Sequence, residues 1–395
     1  MLSCCVCGSP GVECLVSLDC GNLKPSSLYR QAQIVCCADC GHVYNGGIFE
    51  DVEAGLIKYY QEESSVGNLS SPSPGDIPGS SGAYSLLRYG AFYDVVKEFS
   101  KNTDRVLDVG CASGGYLLFL QQKGYTELFG ADLCPTYVVE AGKKKGITIK
   151  QGVAEAIPYD EAAFDVVVAD QVAEHLFDPN KFFVEAKRVL KPGGYLCLNV
   201  PDANLYGKHV FFDFYWFLLR EHIQHWDEAH LGRMAGKHGF VCEKVARFES
   251  PMLSDTILIP KLMMIFRKAE NVVAQTPDFA LKDSLVKYIE ECQKNQTHVE
   301  TMRKLCESQI PIYIWGMSRE FLYLYENTDL RKCNIVGLLD DTPFKQLRTV
   351  NNMPILPIGN IPQAPESTNV LITSFAHKEL MIKRLRGMDF KGNIL

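Results

Sequence analysis

A chain of 395 residues with 47% hydrophobic and 22% charged side chains is globular and too long for one ordinary core, so two or three domains are expected. A net charge of −7 without a basic run argues against a nucleic-acid partner, and no apolar stretch is long enough to span a bilayer. Fifteen cysteines, an odd count with eight in the first forty residues, do not form the pattern of a secreted disulfide scaffold. The N-terminus, MLSCCVCGSP, lacks a basic region followed by an apolar one, and a cytoplasmic protein is expected.

In chain order, residues 1–65 read as a zinc-binding module. Cys4-x-x-Cys7-Gly and Cys37-x-x-Cys40-Gly each place two thiolates on one turn, and the glycine that follows permits the tight backbone that aims both sulfurs at one ion. Two such knuckles form a closed tetrahedral Cys4 set for Zn2+, with no open position, so the ion would be structural. Cys5 and Cys36 sit beside the ligands. The polar stretch 61–82, QEESSVGNLSSPSPGDIPGSSG, reads as a linker or loop.

Residues 84–255 carry an alternation of strands and helices. RVLDVG and DVVVAD are short β-branched runs, while NKFFVEAKRVL has apolar residues at helical spacing, which predicts βαβ units and a mostly parallel sheet. RVLDVGCASGGYLLFL (105–120) is a strand, a glycine turn and a helix, a plan that dinucleotide-binding units share. Asp108 separates the two cases: a carboxylate there is unfavourable beside a pyrophosphate and favourable beside an ammonium or sulfonium. A second strand, FGADLC, ends on Asp132, placed to accept both hydroxyls of a ribose. The apolar run TILIPKLMMIF (256–266) is broken by Pro and Lys. A helical stretch at 281–308 then leads into a second α/β unit, within a C-terminal domain at 280–395.

The ordered set D-V-G-C-A-S-G, Asp132, AFDVVVAD, EHL and LKPGG resembles the class I S-adenosylmethionine-dependent methyltransferases, whose domain is α/β and Rossmann-like. The resemblance implies that Asp108, Gly110, Cys111 and Gly114 surround the methionine part of S-adenosyl-L-methionine, and that Asp132 holds the ribose. It further implies that Val153 and Ala154 flank the adenine, and that Asp170 and Gln171 line the lip of the fourth strand. An acid often stands where this chain has Val153, so backbone contacts would hold the adenine amine. Over nearly the whole chain, the Cys4 module, central methyltransferase and C-terminal α/β unit are similar to the three-domain sugar C-methyltransferases. IYIWGMSREFLYLY and LLDDTPFKQ match that family's C-terminal plan, and YYQEESS its Tyr/Ser-rich segment near the substrate. A nucleotide-linked deoxysugar acceptor, one-carbon transfer and a monomer are what this resemblance implies.

LLREHIQHWDEAHL (218–231) holds three histidines and three acids. Its order, Glu221-His222-x-x-His225, is neither HExxH nor HxxEH. In the resembled family an E-H pair follows the methyltransferase sheet, which implies that His222 is the base, Glu221 its orienter or a sugar contact, and His175 the partner of an enolate or hydroxyl. Carbon beside a ketone becomes nucleophilic only when deprotonated, and an imidazole is suited to that abstraction. The family has Tyr where this chain has Leu219, which leaves oxygen methylation of a sugar or other small molecule as an alternative. His225 and His230 are expected on a solvated helix, and His222, His225 and His230 lack a fourth ligand for a metal. Two further alternatives are a methyltransferase recruited to RNA by its zinc module and a non-catalytic scaffold. Only Lys24 and Arg30 are basic in residues 1–47, which weighs against the first; an intact glycine loop weighs against the second.

Overall fold

A computed structural model describes residues 3–20, 27–47, 52–63, 79–208, 215–218, 220–252, 254–269, 277–294, 297–343, 345–361 and 367–395. Leu219 and most of the linker, residues 64–78, lie outside the described residues. The described chain builds three sheets.

The first begins with β1 (Val12–Asp19), β2 (Gln31–Cys37) and β3 (Val43–Asn45), all antiparallel. A short helix, α1 (Val52–Lys58), continues into a π-helical turn, Tyr59–Glu63. The methyltransferase-like region follows as α2 (Ala83–Val96), β4 (Arg105–Val109), α3 (Gly115–Gln122), β5 (Glu127–Asp132), α4 (Pro135–Ala141), β6 (Ile147–Gln151), β7 (Phe164–Asp170), α5 (Pro179–Val189) and β8 (Leu190–Pro201). After it come β9 (Gln224–His225), α6 (Glu228–Lys237), β10 (Phe240–Met252) and β11 (Ser254–Lys268).

Seven strands form the central sheet in the order β10-β11-β8-β7-β4-β5-β6. The pairings β4–β5, β4–β7, β5–β6 and β7–β8 are parallel, and β11 runs antiparallel between β8 and β10. Because β4 pairs with β5 on one side and β7 on the other, the strand order reverses between β4 and β7, and the carboxyl ends at such a reversal are where open α/β sheets bind ligands. The β-branched runs form central strands because they are buried on both faces: Val106, Val166, Val167 and Val168 are fully enclosed. The helix α5 starts where Asp178 accepts a hydrogen bond from the Asn180 amide and Pro179 occupies the first turn. It buries Phe182, Phe183, Ala186 and Val189, with each phenylalanine contributing about 1.5–3 kcal/mol.

Three features differ from expectation. The TILIPKLMMIF run is a strand of the central sheet, so that sheet continues to Lys268, beyond residue 255. The strand β9 belongs to the first sheet, pairing Val43 with His225 and Tyr44 with Gln224, although it follows the methyltransferase-like strands in sequence. The helical stretch 281–308 is two helices, α7 (Ala280–Lys294) and α8 (Thr297–Ser308), with 295–296 outside the described residues.

The C-terminal unit contains β12 (Ile312–Trp315), α9 (Arg319–Asn327), β13 (Ile335–Leu339), β14 (Thr349–Val350), β15 (Met353–Leu356), β16 (Asn369–Ile372), α10 (Lys378–Gly387) and β17 (Asn393–Ile394). Its sheet order is β14-β15-β13-β12-β16-β17, parallel except for β14. Asp340, buried after β13, is occupied by its own unit: it accepts from the Met317 and Thr342 amides and from Lys345.

Candidate active site and zinc knuckles

The two knuckles close in the same way. The Gly8 amide donates to the Cys4 carbonyl at 2.7 Å, and the Gly41 amide to the Cys37 carbonyl at 3.0 Å. Sγ of Cys4 lies 3.6 Å from that of Cys40, Sγ of Cys7 lies 3.4 Å from that of Cys37, and all four sulfurs fall within 4.8 Å of one another. A tetrahedron with Zn–S bonds of about 2.3 Å has sulfur–sulfur edges of about 3.8 Å, so this donor set fits zinc after small adjustments. Burial pushes the Cys7 thiol up to about 11, and a bound cation would reverse that by holding the thiolate.

At the carboxyl end of β4 the backbone turns through Gly110 and Gly114, both left-handed at φ 73° and 78°. A Cβ on Gly110 would stand 2.5 Å from a methyl of Val172, so the loop tolerates no side chain there. Ala112 is left-handed as well, at φ 45°, a conformation that costs about 1–2 kcal/mol. Its amide donates to Asp132 Oδ2 at 2.7 Å, which offsets part of that cost, and the Cys134 amide donates to Oδ1 at 2.8 Å. Both oxygens of Asp132 are thereby aimed, and each keeps a further lone pair for a hydroxyl. Cys111 is buried against Gly130. Val153 and Ala154 follow β6, where the Gly152 amide donates to the Asp132 carbonyl at 3.0 Å. The loop, the aimed carboxylate and the strand order fit the adenosine and methionine parts of S-adenosylmethionine.

Asp108 is buried in β4, and burial, with repulsion from Asp170 and Asp132, holds its carboxyl well above the usual range while Arg88 opposes. Asp170, at the end of β7, accepts from Asn199 Nδ2 at 2.7 Å and lies 3.5 Å from the Arg88 guanidinium. Gln171 is left-handed at φ 61°, its amide bonds the Asn199 carbonyl, and its Oε1 accepts from Lys261 Nζ. Lys261 projects from β11 into this buried cluster. Burial and Arg88 lower its ammonium to about 7, against the pull of Glu174 and Asp170.

Beyond this lip the structure assembles Tyr60, Glu174, His175, Glu221 and His222. The rings of His175 and His222 meet edge to face at 4.9 Å between centroids. Nδ1 of His175 is 2.9 Å from the Tyr60 hydroxyl and 2.9 Å from the Glu221 carbonyl oxygen. Glu174 is buried, and neither carboxylate oxygen has a hydrogen-bond partner among the described residues. Burial raises its pKa; neighbouring His175, Nε2 at 3.9 Å, acts in the other direction. Donor atoms of Glu174, His175 and His222 all lie within 4.8 Å of one another, a set with the chemistry for proton transfer or for holding a divalent cation.

His225 and His230 do not lie on a solvated face. His225 is fully buried in β9, which pulls it down to about 3, and neither ring nitrogen has a hydrogen-bond partner among the described residues. His230 is buried on α6; its burial is outweighed by Asp227 at 2.7 Å, so its pKa is raised, and Nε2 donates to the Cys40 carbonyl at 2.9 Å. Sequence reasoning singled out neither Lys261 nor Glu174 as site residues. The signals available were a lysine interrupting an apolar run and an acid adjoining His175 in EHL.

Residues 85–245 match the family described as "Methyltransferase domain". An uncharacterized methyltransferase of Schizosaccharomyces pombe is 34% identical over 118 residues, covering 27% of this chain and 42% of that protein. A ubiquinone biosynthesis O-methyltransferase of Cereibacter sphaeroides is 33% identical over 105 residues, 25% of this chain and 42% of its own length. The tocopherol O-methyltransferase of Arabidopsis thaliana is 32% identical over 122 residues, 28% of this chain and 34% of its own. The chain thus spans less than half the length of these relatives. Among solved structures, a SAM-dependent methyltransferase of Methanosarcina mazei aligns at 21% identity and a TM-score of 0.38, covering 45% of this chain and 99% of that one. Residues 85–245 of this chain are a methyltransferase domain.

Proposed function

We propose that this protein transfers a methyl group from S-adenosylmethionine to a small molecule, and that the acceptor is a nucleotide-linked 4-keto-deoxysugar methylated at the carbon beside the ketone. The observation that carries this reading is the edge-to-face pair of His175 and His222 beside buried Glu174, beyond the lip of β7. S-Adenosylmethionine supplies an electrophilic methyl on a sulfonium, which departs as a neutral thioether. Gly110, Cys111, Gly114 and Asp108 would hold its methionine part, Asp132 its ribose, Val153 and Ala154 its adenine, and Asp170 and Gln171 the lip.

His222 takes the proton from the acceptor carbon, and the C–H electron pair becomes the new C–C bond. Negative charge that develops on the ketone oxygen is met by His175, oriented through Nδ1 by Tyr60 and the Glu221 carbonyl. Glu221 orients His222 or contacts the sugar. The proton then leaves His222 to water. The four knuckle cysteines would hold a structural zinc, and eight cysteines crowded into the first forty residues suit a reducing, cytoplasmic setting.

A second reading, oxygen methylation, is supported by the activities of the two O-methyltransferase relatives and by the Glu174–His175–His222 donor set. The deciding experiment incubates purified protein and S-adenosylmethionine in deuterated water with nucleotide 4-keto-deoxysugars and their 4-hydroxy counterparts, read by mass spectrometry. Methylated ketosugar with deuterium at the neighbouring carbon, both lost in His222→Ala, is expected. Methylation of the hydroxy sugars alone, without exchange, means oxygen transfer; no product from either set overturns the sugar assignment.

A further inference from the structure

The loop that carries Glu174 and His175 gets three of its carbonyl partners from the zinc module's fourth strand and its flanks. Ile223 and Gln224 amides donate to the Glu174 carbonyl at 2.8 and 2.9 Å, and Trp226 Nε1 donates to the Ala173 carbonyl at 2.9 Å. The side chain of Gln224 joins this loop to both knuckles. Its Nε2 donates to the Leu176 carbonyl at 3.2 Å, while its Oε1 accepts from Cys5 Sγ at 3.4 Å and from His42 Nε2 at 3.0 Å. Cys5 lies between the ligands Cys4 and Cys7, and His42 two residues beyond Cys40. Gln224 is 2% exposed, so these bonds are made in a buried site where water competes little.

We propose that Gln224 is a positioning residue that fixes the Glu174–His175 loop to the zinc knuckles, so that catalytic geometry is set by both domains together. The inference rests on the reading of His175 as a catalytic group. Only an amide serves here. The oxygen faces two donors on the knuckle side and the nitrogen faces a carbonyl on the loop side, so a carboxylate would satisfy the first and repel the second. His42 also stacks on Trp226 at 4.7 Å between centroids, which sets its ring plane and aims Nε2 at the amide. Zinc occupancy and His175 orientation are therefore linked, and the linkage is reciprocal.

The test uses the full chain loaded with zinc and S-adenosylhomocysteine, labelled at histidine Cε1 for NMR, with the His175 signal identified by its loss in His175→Ala. In Gln224→Glu the zinc content is expected to stay at one per chain and S-adenosylhomocysteine affinity within about twofold. The His175 signal is expected to shift or broaden, while those of His298 and His377 in the C-terminal unit hold still. With a nucleotide 4-keto-deoxysugar as acceptor, kcat is expected to fall about ten- to a hundredfold with KM little changed, as for a displaced catalytic group. Gln224→Asn, which keeps an amide on a shorter stem, is expected to recover part of both. A stationary His175 signal and unchanged kcat in Gln224→Glu overturn the proposal. Should that variant fail to fold, His42→Phe keeps the stacking and deletes one donor, and the same His175 signal decides. If His175→Ala retains full activity, the catalytic reading fails instead, and the NMR shift still reports whether Gln224 positions the loop.

Discussion

The hydroxyl of Tyr60 and the carbonyl oxygen of Glu221 both lie 2.9 Å from Nδ1 of His175. A carbonyl only accepts, so Nδ1 carries a proton, with Tyr60 as a second acceptor, and Nε2 meets the ketone oxygen of the proposed acceptor as the second N–H of an imidazolium. Tyr60→Phe removes one of the two groups that set this ring's orientation. A hydrogen bond of this kind is worth about 0.5–1.5 kcal/mol, so kcat should fall about three- to tenfold with the acceptor KM little altered. Steady-state kinetics checks this, and an unchanged kcat would remove Tyr60 from the site.

Asp132 is aimed by the amides of Ala112 and Cys134, and the strain at Ala112 is tolerated because its amide finds that carboxylate. On the proposed reading, Asp132→Ala removes two charged acceptors from the cofactor's ribose, and it also leaves the Ala112 amide without its partner. Each bond to a charged group contributes about 1.5–3 kcal/mol, so S-adenosylhomocysteine affinity should drop by about a hundredfold or more. Asp132→Asn keeps one acceptor and should lose less. Calorimetric titration distinguishes the two, and equal affinities in wild type and Asp132→Ala would place the ribose elsewhere.

Lys261 makes stability depend on pH in a definite direction. Burial lowers its ammonium from 10.5 to about 7 in the folded protein. Between those values the unfolded chain binds more protons than the folded one, so this group's contribution to stability rises with pH from about 7 to 10.5 and is level outside that window. Lys261→Met lacks this dependence. Its stability relative to wild type should be highest at pH 7 and below, and should decline as pH rises toward 10.5, by about 1.4 kcal/mol for each pH step of one within the window. Urea titrations at pH 7, 8.5 and 10 measure the difference, and a constant offset would mean that Lys261 titrates normally.

The parallel core of the central sheet was legible because β4 and β7 are short, doubly buried β-branched runs whose period and length leave little choice, and because Asp108, Gly110 and Asp132 mark two strand ends. The knuckles were legible for a similar reason: ligand spacing is local. Burial of the histidines was not. Helical spacing in LLREHIQHWDEAHL holds only from Glu228 onward, and the preceding residues are drawn into a strand by pairing with Val43 and Tyr44, nearly two hundred positions away. Such a pairing leaves no local periodicity. Lys261 is hidden for the complementary reason: in sequence it breaks an apolar run, and only the register opposite Pro201 turns it toward Gln171.

The knuckles and the cofactor loop stand on different sheets, so their losses should separate. Cys7→Ser replaces a thiolate with a poor zinc ligand, and a closed Cys4 site with three strong donors binds far more weakly. Metal content should fall from one zinc per chain toward zero, and stability by about 3 kcal/mol or more, since binding energy at such sites is folding energy. The bonds that aim Asp132 come from Ala112 and Cys134 on the central sheet's own loops, so S-adenosylhomocysteine affinity at a temperature where the chain remains folded should stay within about threefold. Turnover should fall further than affinity, because His175 takes its support from the β9 segment. Metal analysis beside calorimetry and turnover on one preparation gives all three readings. A zinc-free protein with full turnover would show that the knuckles stabilise the module without shaping the site.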